Sequence, residues 1–126
     1  VRVGIARAGN VIGGGDWATN RLVPDAMRAF FRGETFIVRS PTATRPWQHV
    51  FEPLSGYLLI CERLWKDPNQ FSSGWNFGPT TRDIASVATV CDLLVEHYGT
   101  SASWRPEGAT PFPFYESEHL QLDITK

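Results

Sequence analysis

Apolar positions recur along this chain in two rhythms, and each switch between them marks an element. Val1 to Ala6 is β-branched-rich and apolar on both sides, which predicts a buried, central parallel strand. Residues 8–20 are polar and glycine-rich and predict a loop. From Arg21 to Arg32 the period becomes helical, with Leu22, Ala26 and Phe30 on one stripe and Val23, Met27 and Phe31 beside it. Pro24 falls in the first turn, where a missing amide proton costs little, and Gly33 suits the end. Thr35-Phe36-Ile37-Val38 predicts a second strand, the stretch from Arg39 to Pro46 a polar loop, and Trp47 to Val50 a short extended piece. A helix is expected from Pro53 to about Lys66, with Leu54, Tyr57, Leu58, Cys61, Leu64 and Trp65 on its apolar side. Trp75-Asn76-Phe77 predicts a further short strand. Ser86 caps a helix through Tyr98, with Val87, Val90, Cys91, Leu94, Val95 and Tyr98 at helical spacing and Gly99 at its close. Residues 100–114, rich in Pro, Ser and Gly, are expected to be mostly loop. Strands alternating with helices predict an α/β fold, with too few strands for a complete doubly wound sheet.

Composition narrows the field. The 126 residues carry a formal charge of −1, so no broad field attracts nucleic acid or an anionic membrane, and any anion site must be local. Cys61 and Cys91 both lie in apolar helical runs, which predicts buried, reduced thiols and argues against a disulfide framework. No apolar stretch approaches the ~20 residues of a membrane-spanning helix, and no secretory signal is visible. The 5 tryptophans suit a core, their usual use, or a cleft that binds a ring. The chain opens without Met inside an apolar strand and stops without a capping signal, so a piece of a longer polypeptide is expected.

The candidate chemistry lies in two polar segments, residues 8–17 and 39–50, each following an apolar run and each joining glycine amides or arginines to a tryptophan. Arginine offers planar paired donors that match phosphate oxygens, and glycine lets the main chain approach an anion. Arg7 and Asn10 fall just past the first expected strand, at the edge where parallel sheets bind ligands; Asn10 can equally tie its own loop together. Arg21, Arg39 and Arg45 each stand at the edge of a regular element, and Pro46 pushes Arg45 toward an extended conformation. A lone arginine is usually a solvated surface residue, and it is the number of them in a nearly neutral chain that points to a ligand. Gly13-Gly14-Gly15-Asp16-Trp17-Ala18 matches the dinucleotide pattern in letters only. That pattern needs a helix starting within the glycine turn, whereas Asp16 and Trp17 occupy it here, and Glu34 precedes a strand instead of ending one. No Lys-Ser/Thr pair follows the glycines, His49, His97 and His119 lack metal-ligand spacing, and nothing marks a nucleophile or an acid–base pair. The residues alone describe the anion-binding part of an α/β protein.

The same residues carry a resemblance. Ala6 to Trp17, Asn20-Arg21-Leu22-Val23-Pro24-Asp25, Arg39-Ser40-Pro41, Thr44 to Leu58, Trp75 to Pro79 and His119 to Asp123 resemble the extended short-chain dehydrogenase/reductase family of sugar-nucleotide enzymes, and within it the 4,6-dehydratases. The resemblance covers nearly the whole chain. It implies the C-terminal, substrate-binding part of an extended Rossmann-type dehydratase with one or two strands of a larger parallel sheet. Residues 1–20 would be the last part of that sheet and its ligand loop, and residues 21–126 the nucleotide-sugar-binding domain. It implies NAD as cofactor, a nucleotide-sugar substrate, a cytoplasmic location and a homo-oligomer for the longer enzyme. Asn10, Arg21 and Arg45 would contact the diphosphate or sugar, Arg39 and Ser40 would lie near the nucleoside, and Ala8 and Gly9 would pass the nicotinamide end of the cofactor. Glu52 takes the place of a family acid that holds the loop together. The family oxidises the sugar at C4 by hydride transfer, removes water across C5 and C6, and returns the hydride to C6. Its Tyr-x-x-x-Lys pair is absent, since neither Tyr57 nor Tyr98 is followed by Lys four positions on, so no catalytic residue is assigned here and the chain alone is expected to be inactive. Two alternatives stay open: an epimerase or decarboxylase acting on another nucleotide sugar, and a non-catalytic binding module.

Overall fold

A computed structural model describes residues 2–108 and 117–126 of the chain. They fall into two compact units that interleave along the sequence: residues 1–13, 46–84 and 121–126 form one, residues 14–45 and 85–120 the other. Parallel pairing, which needs a long connection between partners, makes them interleave. Residues 14–45 connect two paired strands of the first unit and themselves belong to the second.

In the first unit β1 (Ile5–Ala8) pairs in parallel with β6 (Gly74–Phe77), and β2 (Asn10–Ile12) in parallel with β5 (Trp47–His49). The strand expected at Val1 to Ala6 thus begins later, and Arg7 lies within it, not beyond it. Nor is it buried on both faces: Ile5 is 54% exposed, because among the described residues β6 is its only strand partner. Helix α2 (Phe51–Lys66) turns Pro53 and Ile60 inward. Gly56 faces the ring of Phe77, and Tyr57 meets that ring edge-on at 5.4 Å. Leu54, Leu58, Cys61 and Trp65, expected on the apolar side, are exposed instead. The inner face is set one position round the helix, where glycine and proline permit close approach to the strands. A short helix, α3 (Pro68–Phe71), follows, capped by the Asp67 carboxylate, which accepts from the amides of Asn69 and Gln70. The chain then passes through β6 and a single 3-10 turn at Thr81–Asp83.

In the second unit α1 (Leu22–Phe31) and α4 (Val87–Tyr98) enclose a core of Ala26, Phe30 and Ala102, with Met27, Phe36, Leu94, Val95 and Tyr98 packed against it. Both helices end as their sequences require, at Gly33 and Gly99 in the left-handed region (φ +68° and +110°). Ser86 accepts from the Thr89 amide as expected of its cap. Three strands of this unit were not anticipated. β4 (Thr44–Arg45) pairs antiparallel with β7 (Ala85–Ser86), and β3 (Phe36–Val38) pairs in parallel with β8 (Trp104–Pro106) inside a stretch expected to be loop. The rest of that stretch, residues 109–114, lies outside the described residues.

The tryptophans line surfaces more than the core. Trp17 and Trp65 are 57% and 75% exposed, while Trp104 is tied by its Nε1 to the Asp92 carboxylate at 2.8 Å. Among the described residues no helix is long and apolar enough to cross a membrane.

The two thiols differ sharply. Cys91 is fully buried, and desolvation, aided by the neighbouring Asp92 charge, pushes its pKa from 9.0 up to about 11. Cys61, by contrast, is exposed. At pH 8 iodoacetamide is expected to label Cys61 and leave Cys91 unreacted in the folded protein, as peptide mass mapping would show, because only a thiolate attacks. Equal labelling of both would contradict this packing. Because the folded pKa is raised, the thiol's contribution to stability is present below pH 9 and is lost as pH rises through about 11.

Candidate functional site

The candidate residues divide between the units: Ala8, Gly9 and Asn10 belong to the first, and Arg21, Arg39, Ser40 and Arg45 to the second. In the first unit Ala8 ends β1, and the Gly9 amide continues the ladder by donating to the Phe77 carbonyl at 3.2 Å. Asn10 opens β2, opposite Trp47. It is half-buried just beyond the carboxyl end of β1, where open parallel sheets meet their ligands. A side chain at Gly9 would strike the ring and carbonyl of Pro46 at 2.6 Å, so Pro46 alone requires glycine there. Gln48, which the sequence did not single out, donates from Nε2 to the same Phe77 carbonyl at 3.0 Å and ties the two strand pairs together.

In the second unit Arg39 and Ser40 follow the carboxyl end of β3. The turn after them is built onto α4: the Ala43 amide donates to the Ser40 carbonyl, and the amides of Val87 and Ala88 donate to the carbonyls of Ala43 and Pro41. Arg45 is buried in β4, with Nη1 donating to the Thr44 carbonyl at 2.9 Å. Thr44 is bridged on its other side by His119, whose Nδ1 lies 3.0 Å from the threonine hydroxyl.

Arg21 takes the N-cap position of α1 with an extended backbone (φ −119°, ψ 136°) and no side-chain cap. A cation at the positive end of a helix is electrostatically unfavourable unless an anion joins it. Its side chain is 62% exposed, with the Asp16 carboxylate 3.9 Å from Nε. The preceding residue, Asn20, adopts a left-handed conformation (φ 61°), which asparagine tolerates better than most residues. Arg28 was also not singled out from the sequence. It donates to the Trp17 and Ala18 carbonyls at 2.9 and 3.1 Å and pairs with Asp25. The one hint in the sequence was its position three residues after Asp25 on the same helix face. No group of three or more metal-ligating side chains occurs among the described residues.

Parallel strand pairs and helices with glycine stops form an arrangement already known in solved structures. The UDP-glucuronic acid 4-epimerase of Bacillus cereus, in complex with UDP-glucuronic acid and NAD, matches with a TM-score of 0.79 at 18% identity, over 99% of this chain and 37% of that one. The UDP-N-acetylglucosamine 4-epimerase of Methanobrevibacter ruminantium matches with a TM-score of 0.71 at 14% identity, over 97% and 37%. The fold is therefore that of the corresponding part of these epimerases, and the expected fold class stands. In sequence the chain is similar to the CDP-glucose 4,6-dehydratase of Salmonella typhimurium, with 48% identity over 98% of this chain and 34% of that protein. The chain thus spans about a third of the length of the curated relative it matches. No family model matches it.

Proposed function

We propose that this chain is the substrate-binding portion of an NAD-dependent CDP-glucose 4,6-dehydratase, which converts CDP-glucose to CDP-4-keto-6-deoxyglucose. The observation that carries this reading is the 48% identity running the length of the chain, both polar segments included. In it Asn10, Arg21 and Arg45 take the diphosphate or sugar, and Arg39 and Ser40 lie near the nucleoside. The arrangement supports this: Arg21 stands at a helix N-terminus, and Arg39 and Ser40 at a strand's carboxyl end, both of them places suited to an anion.

NAD, when bound, supplies hydride acceptance from C4. The residues present do not build a dinucleotide site by themselves: α1 begins at Leu22, well past the glycines, and Gly9 answers to Pro46. NAD is therefore assigned to the longer protein, with Ala8 and Gly9 as an edge of its site. The chain's own residues bind and orient the sugar nucleotide. By the same resemblance the longer protein is a cytoplasmic homo-oligomer.

The test is direct. The full-length protein, given CDP-glucose and NAD, should yield a product lighter by one water in mass spectrometry, and should bind CDP-glucose far more tightly than free glucose. The solved epimerases favour a second reading, epimerisation of another nucleotide sugar. An unchanged CDP-glucose beside an epimerised UDP-sugar would establish that reading and overturn the first.

A further inference from the structure

We propose that Asp16 is a positioning residue: an internal counter-anion that occupies Arg21 while no ligand is bound and gives it up when the diphosphate arrives. This rests on the reading of Arg21 as a diphosphate contact. Asp16 is fixed by its own turn, because its Oδ1 accepts from the Ala18 amide at 2.9 Å. The other carboxylate oxygen faces Arg21 Nε at 3.9 Å. Arg28 grips the same loop from α1 through the Trp17 and Ala18 carbonyls, and Trp17 rests on Phe31 with ring centroids 6.1 Å apart. Asn20 then turns the chain into α1. The loop is thus stapled on both sides, which sets where the Asp16 carboxylate stands beside the N-terminus of α1.

The pairing answers an electrostatic need. Arg21 sits at the positive end of α1 with no capping side chain; the first-turn acid Asp25 is engaged by Arg28, and Asp16 adds the carboxylate that relieves the repulsion while no ligand is bound. The contact is also weak by construction. It is too long for a hydrogen bond, reaches only Nε and is partly exposed, so solvent screens it. A diphosphate brings more charge and can take the guanidinium fork with two oxygens at once. The ligand therefore displaces Asp16 without a large loss, and Asp16 acts as a mild brake on binding.

The experiment uses the full-length enzyme and separates this role from its neighbours. Asp16→Asn keeps the Oδ1 acceptor, hence the turn, and removes only the charge. It is expected to lower KM for CDP-glucose about two- to fivefold with kcat unchanged, the range set by an exposed ion pair. Arg21→Gln should raise KM at least about tenfold. In the Arg21→Gln background, Asp16→Asn should change nothing further. An equal drop in KM in both backgrounds would overturn the inference, because Asp16 would then act as a general field and not through Arg21. An unchanged or raised KM in Asp16→Asn alone, with or without a lower melting temperature, would overturn it too. A wild-type KM in Arg21→Gln would instead sink the assignment of Arg21, whatever Asp16 does.

Discussion

Arg45→Ala in the full-length protein is expected to weaken CDP-glucose binding by a factor of roughly 30 or more. The residue is 8% exposed and lies in β4, where its Nη1 donates to the Thr44 carbonyl. Truncating one member of a buried, hydrogen-bonded charge contact costs about 2–5 kcal/mol, and each 1.4 kcal/mol is about tenfold in affinity. Calorimetric titration reads the change. Arg45→Lys separates geometry from charge, since an ammonium keeps the charge but lacks the planar fork, and it should fall between wild type and alanine. Thermal melting of both variants shows whether a loss reflects the site or the fold. Wild-type affinity in Arg45→Ala would remove Arg45 from the proposed binding set.

Gly56→Val is expected to destabilise the first unit markedly. A Cβ there would stand 2.1 and 2.4 Å from the Cε1 and Cδ1 atoms of Phe77, closer than packed atoms tolerate. Phe77 has little room to yield: its carbonyl accepts from Gly9 and Gln48, and Tyr57 flanks its ring. Overpacking of this kind costs about 1–3 kcal/mol, and a β-branched residue within a helix adds a few tenths more. Chemical denaturation of the variant should show a loss near the top of that range. Gly14→Ala is the matched control: nothing lies within 4 Å of its added carbon, so stability should move by less than about 0.5 kcal/mol. If both glycines tolerate substitution equally, α2 does not pack on β6 as described.

Legibility in the sequence followed the range of the forces involved. The helices of the second unit could be read because their signals are local: the stripe of Ala26 and Phe30, the Ser86 cap and the stops at Gly33 and Gly99 each act within a few residues. The short strands β2, β4 and β8 could not. Each is two or three residues long, and its partner is supplied from tens of residues away. The inner face of α2 was misread for a related reason. Its apolar residues run nearly all the way round, so only the close approach at Gly56 and Ile60 fixes which side faces the strands. At the candidate site the residue types were legible and their burial was not. Arginine is normally solvated, and nothing in the local text distinguishes the buried Arg45 from the exposed Arg39. Asp16 was weighed only as an obstacle to a glycine fingerprint; its place beside Arg21 depends on a loop folded by Arg28.

The interleaving of the units also bears on how the chain is made. The Thr44 amide donates to the carbonyl of Glu118, and the Asn76 carboxamide donates to the carbonyl of Asp123. On the ribosome each half must wait for the stretch from residue 118 to residue 123, so neither closes before that stretch has emerged. Until then a nascent chain displays unsealed strand edges, so the folding of this region should depend on chaperone capacity.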